Sequence, residues 1–137
     1  MVADQLGVPR KDMKDFKLWS DSFARRLSQM ASPEEQLEDA RNIVAFQFYF
    51  AAMCDERRDS PKDDIISDLV KKQIADLDNG ELRPLNMEEL QSILQQLMVA
   101  GNETTTSAIT GGLVSLLQNP EQLQELQRHP EQIPNAV

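Results

Sequence analysis

Residues 87–118, MEELQSILQQLMVAGNETTTSAITGGLVSLLQ, decide the fold. Leu90, Ile93/Leu94, Leu97/Met98, Ala108/Ile109, Leu113 and Leu116/Leu117 recur every three or four positions, the period of a helix face. Asn86 stands where an N-cap belongs, with Glu89 at the third helical position. At about 1.5 Å per residue, the predicted helix over 87–118 is a rod of roughly 48 Å. Within it, 100–112 reads AGNETTTSAITGG, in which three glycines and four threonines make a poor helix by intrinsic propensity. Tertiary packing must hold this stretch, and something must approach its backbone closely. Two sources of that approach stay open: a tight helix crossing along Gly101, Thr105, Ala108 and Gly112, or a cofactor or flat ligand lying against the helix beside Glu103 and Thr104.

Outward from this rod the same period continues. Met13, Phe16, Trp19, Phe23, Leu27 and Met30 predict a helix over about 11–30. Ser32-Pro33-Glu34-Glu35 carries a capping serine, a first-turn proline and a reciprocal glutamate, opening a helix over about 33–58. In that helix Phe46, Tyr49, Phe50 and Met53 share one face, buried between layers or lining a channel, while Phe48 points elsewhere. A shorter helix over about 63–74 has Ile65, Ile66, Leu69 and Val70 on its buried side. Residues 76–85, DLDNGELRPL, hold an Asn-Gly turn signal and a proline, so a loop or small hairpin is expected. Asn119-Pro120 restarts a last helix over about 120–128, topped by His129. The expected fold class is all-α, a single domain over 1–137 with four shorter helices packed on the long central one.

Composition narrows the function. The chain of 137 residues has a formal net charge of −9, and residues 86–137 contain one basic and six acidic groups. Lys and Arg are not clustered as a phosphate-tracking surface requires, which argues against nucleic acid and against an anionic membrane. The longest apolar run, Phe48 to Cys54, is too short to span a bilayer, and one cysteine cannot form an internal disulfide. A soluble, reducing, cytoplasmic setting is expected. With His129 the only histidine, no His-based triad or metal cluster can be built. Asn102-Glu103-Thr104 matches a glycosylation sequon, read as a chance match within a helix.

AGNETT at 100–105, preceded by LQQLMV and followed by LVSLLQNPEQLQEL, resembles the oxygen-binding helix of the cytochrome P-450 family, the thiolate-haem monooxygenases. The family pattern there is Ala/Gly-Gly-x-Asp/Glu-Thr-Thr/Ser. LGVPRKDMKDFKLWSDSFA is similar to the entry into helix F of that family, CDERRDSPKDDIISDLV to the end of helix G and helix H, and NPEQLQELQRHPEQIPNAV to helix J and its exit. The resemblance implies an all-α segment covering helices F to J, so that 1–137 is a single partial domain. It implies that Ala100 and Gly101, with Thr104 and Thr105, lie against haem where dioxygen binds, and that Gln96, Val99 and Ala100 face substrate. Thr104 matches the hydroxyl that hydrogen-bonds dioxygen, and Glu103 the acid that relays protons.

The family's Glu-x-x-Arg helix and haem-ligand cysteine loop would follow Val137, and Cys54, beside Asp55 and Glu56, does not match that cysteine. The resemblance therefore implies haem, an organic substrate, dioxygen and a ferredoxin or flavoprotein electron donor for the complete enzyme. For the chain alone it implies no haem, no metal ligand set and no activity, and the apolar face over 90–117 leads us to expect self-association or loose packing. The alternative is a non-catalytic helical interaction module or remnant.

Overall fold

In a computed structural model, residues 2–29, 31–78 and 80–136 are described. The helices are α1 (Val2–Gln5), α2 (Met13–Ser28), α3 (Pro33–Asp59), α4 (Ile65–Lys71), α5 (Met87–Gln118), α6 (Pro120–Arg128) and α7 (Ile133–Ala136). Short 3-10 turns at Arg10–Asp12 and Pro130–Gln132 precede α2 and α7. Strands β1 (Gln73–Ala75) and β2 (Leu82–Pro84) pair antiparallel, with Ile74 opposite Arg83. The chain divides into two compact units, Met1–Asn102 and Glu103–Val137.

The helix starts follow from local chemistry. Ser32 Oγ accepts from the Glu35 N–H at 3.3 Å, and the Ser32 N–H donates to Glu35 Oε2 at 2.7 Å, the reciprocal box expected there. Asn86 and Glu89 do the same for α5, at 2.9 and 2.8 Å. The helix expected over 63–74 is shorter. Asp64 Oδ1 caps it by accepting from the Ser67 N–H at 2.8 Å, and Lys72 is already extended. Gln73 and Ile74, expected in that helix, instead pair with Pro84 and Arg83. The hairpin suggested for 76–85 thus takes its first strand from upstream of the turn. The helix expected over 11–30 begins as a 3-10 turn, and α2 ends before Gln29, which is left-handed at φ 56°. Met30 lies outside the described residues.

The core of the first unit is aromatic. Trp19 and Phe23 of α2 meet Phe46, Tyr49 and Phe50 of α3, with Phe46 and Phe50 ring centroids 4.7 Å apart and Phe23 edge-on to Phe46 at 5.2 Å. Cys54, Ile66, Leu90, Leu94 and Met98 complete it, all fully buried. Phe48 is exposed, as its place on the helix wheel predicts. A buried charged latch joins α3 to α4, where Arg57 Nε donates to Asp64 Oδ2 at 2.7 Å. Among the described residues no helix is long and apolar enough to cross a membrane.

The second unit has no buried side chain among its described residues. Ile109, Leu113 and Leu117 of α5 are exposed there. His129 caps the C-terminus of α6, with its ring Nδ1 3.1 Å from Glu131 Oε1.

Candidate functional site

Leu90, Leu94 and Met98 anchor one face of α5 in the core, so Gln95, Gln96 and Ala100 turn toward open space. Gln96 and Ala100, one turn apart, each line two cavities. The larger, about 680 Å³, also has Phe23, Leu27, Ile43 and Val99 in its walls. The second, about 560 Å³, is lined by Val2, Ile65, Leu97 and Gly101 as well. Both volumes fall in the range of small-molecule sites, and most of the lining is apolar. The Gln96 side-chain amide donates to Ser92 Oγ at 3.3 Å, which ties it to its own helix.

Gly101 accommodates a close neighbour. A Cβ at this position would stand 2.5 Å from Val2 Cγ2, so the approach that the small residues imply is made here by a side chain of α1. A Cβ at Gly111 or Gly112 would have nothing within 4 Å, and Ala108 is exposed. Among the described residues, the close approach considered for Gly101, Thr105, Ala108 and Gly112 is found at Gly101 and not at Gly112. Beside Gly101, the Asn102 side chain donates to the buried Ser20 Oγ at 2.9 Å, pinning α5 to α2. A hydrogen-bonded anchor thus occupies the position that matched a sequon.

Glu103 and Thr104 open the second unit, both exposed, with Thr105 half-buried. Cys54 is fully buried in α3, and burial pushes its thiol up. A haem-ligating cysteine needs the reverse, a thiolate stabilised by its surroundings. Cys54 does not fit an axial ligand. Among the described residues no cluster of His, Cys, Asp or Glu is placed to hold a metal ion.

The structure gathers Gln96, Val99 and Ala100 onto one cavity wall. It adds Phe23, Leu27 and Ile43, which sequence reading did not single out for a site. Phe23 and Leu27 lie four apart on a face that reads as core, and only the packing of α2 shows that Leu27 is exposed at the end of that face.

The family model described as Cytochrome P450 matches residues 10–134. The putative cytochrome P450 YjiB of Bacillus subtilis is 35% identical over all of this chain and 34% of its own length. The polyketide biosynthesis cytochrome P450 PksS of the same organism is 32% identical over 100% of this chain and 31% of its own. The chain thus spans about a third of the length of the curated relatives it matches. Among solved structures, P450BioI in complex with acyl carrier protein ligated to hexadec-9Z-enoic acid aligns with a TM-score of 0.84 and 31% identity. That alignment covers 98% of this chain and 33% of that one. CYP109E1 from Bacillus megaterium in complex with testosterone aligns at 0.78 and 32% identity, over 97% of this chain and 33% of that one.

Proposed function

Because this chain belongs to the cytochrome P450 family, we propose that it forms the substrate roof and oxygen-side helix of a monooxygenase. The enzyme would insert one atom of dioxygen into an organic small molecule in the cytoplasm. The observation that carries this reading is the 680 Å³ cavity walled by Val99 and Ala100 of α5 and by Phe23, Leu27 and Ile43. Haem, held by a cysteine other than Cys54, supplies the oxygen-activating chemistry when bound, and a ferredoxin or flavoprotein supplies electrons.

This chain's own residues do the rest. Phe23, Leu27, Ile43 and Val99 hold an apolar substrate body and exclude water from it. Ala100, exposed and with a minimal side chain, leaves room at the helix surface for a flat group and a diatomic molecule, while Gly101 admits the Val2 side chain. The Thr104 hydroxyl donates one hydrogen bond while accepting another, which suits it to orient a water. The Glu103 carboxylate, exposed to solvent, takes up a proton there and passes it toward that water, returning to the carboxylate.

The test is oxygen incorporation from 18O2 by the enzyme that carries this segment. One labelled atom per product molecule is expected, and product labelled only from water would overturn the reading. A second reading, a non-catalytic helical module that self-associates, draws on the exposed Ile109, Leu113 and Leu117 of α5. Light scattering on the chain alone separates it, since that reading requires a dimer or larger species.

A further inference from the structure

We infer that the 680 Å³ cavity takes a molecule with an apolar body and a carboxylate end, and that Arg26 is the residue that recognises the carboxylate. This rests on the reading of that cavity as the substrate site and names the class of substrate it selects.

Arg26 lines the cavity together with Phe23, Leu27, Ile43 and Val99, a cation in an otherwise largely apolar wall. It also lines a neighbouring cavity of about 360 Å³, whose other residues are Arg25, Gln29, Ala31 and Gln36. A long arginine shared by an apolar and a polar cavity can lay its stem along the first and present its charge at the junction. The adjacent cation is differently placed. Arg25 Nε reaches both Asp39 oxygens at 3.2 Å, and its Nη2 reaches Asp39 Oδ1 at 2.7 Å. Arg26 acts on that carboxylate only through space, and among the described residues it has no ion pair of its own. The chain has 23 acidic residues, yet none of them lines either cavity. A guanidinium with no ion pair of its own among the described residues, cavity linings without an acidic side chain and apolar walls complement an amphipathic anion. The planar fork of arginine suits a carboxylate in particular.

The experiment measures binding of decanoate and of decan-1-ol to the full chain by calorimetry. The two ligands share an apolar body and differ in the charged end. Wild type is expected to prefer decanoate. Arg26→Gln should weaken decanoate by about fivefold or more, leave decanol within about twofold, and be rescued in part by Arg26→Lys. Arg26 is exposed, so the glutamine variant keeps its fold, which circular dichroism checks. Val99→Phe, which sets a ring into the cavity wall, should weaken both ligands together. Equal binding of decanoate by wild type and Arg26→Gln overturns the carboxylate assignment, while sensitivity of both ligands to Val99→Phe would leave the substrate cavity standing. Failure of decanoate to bind, or indifference of its binding to Val99→Phe, overturns both.

Discussion

The Arg83 guanidinium holds both oxygens of the Glu89 carboxylate, Nη2 to Oε1 at 2.7 Å and Nη1 to Oε2 at 2.8 Å. Arg83 sits in β2, where its Nε also donates to Asp76 Oδ2 at 2.8 Å, while Glu89 closes the capping box of α5. One arginine thereby sets the hairpin against the start of the helix that carries the candidate site. The Arg83 hydrogen bonds, with help from the Asn86 N–H, pull the Glu89 carboxyl from 4.5 to about 2.

A depressed carboxylate contributes stability above its unfolded value and loses it as pH falls through its folded value. Glu89→Gln is therefore expected to lower stability at pH 7 by an amount that stays constant down to about pH 5. The gap between the two proteins should then close between pH 4.5 and about 2. Urea midpoints for both proteins across this range provide the check. A gap that persists at the acid end would show that shape, not charge, sustains the contact.

How much of this was legible in the sequence differs from element to element. Helix starts were legible because Ser32/Glu35 and Asn86/Glu89 are local, reciprocal pairs whose geometry depends on few other residues. The end of α4 was not, because Ile74 satisfies the apolar period of a helix yet pairs across a turn with Arg83, a tertiary choice. Gln96, Val99 and Ala100, which line the cavity, are residues that the resemblance around AGNETT already singles out. Arg26 was not legible, since one basic residue beside another on a helix carries no signal until Arg25 is seen committed to Asp39. The Asn102–Ser20 anchor spans 82 residues and could only come from the fold.

The two neighbouring aromatics of α3 separate packing from exposure. Phe50 is fully buried against Trp19, Phe46 and Tyr49, whereas Phe48 is 74% exposed. Phe50→Ala should cost about 3–5 kcal/mol through lost burial and the remaining cavity. Phe48→Ala should stay within about 0.5 kcal/mol. Equilibrium urea unfolding of the two variants measures the contrast, and comparable losses would contradict the burial of the α3 face.

A second contrast concerns the latch of Arg57 and Asp64, whose side chains are 2% and 3% exposed. Burial pushes the Asp64 carboxyl up, but the Arg57 and Ser67 hydrogen bonds outweigh it and hold it below the usual range. Asp64→Ala leaves the buried Arg57 with only the exposed Glu56 carboxylate, 3.0 Å from its Nη1, and uncaps α4, and about 3 kcal/mol of stability should be lost. Arg57→Met with Asp64→Asn removes both charges and should recover part of that loss, because burying the pair itself carries a desolvation cost. Urea unfolding again supplies the measurement. A double variant less stable than Asp64→Ala would show that the ion pair is worth more than its desolvation.

The last expectation concerns Thr104 in the enzyme that carries this segment. If its hydroxyl orients a water for proton delivery, removing it leaves the cavity walls of Phe23, Ile43 and Val99 untouched, and under the proposed function substrate affinity should hold within about twofold. Proton delivery, however, loses its aligned relay, and reducing equivalents should leave as hydrogen peroxide or water instead of entering product. Thr104→Ala is thus expected to lower product formed per reduced nicotinamide consumed by several-fold, while Thr104→Ser, which keeps the hydroxyl, retains most of it. Glu103→Gln should slow turnover at the same substrate affinity, because an amide cannot exchange the proton that a carboxylate can. The ratio of product to nicotinamide, measured alongside peroxide release, distinguishes these outcomes. Unchanged coupling in Thr104→Ala would remove the hydroxyl from proton delivery and leave the threonine as a helix residue alone.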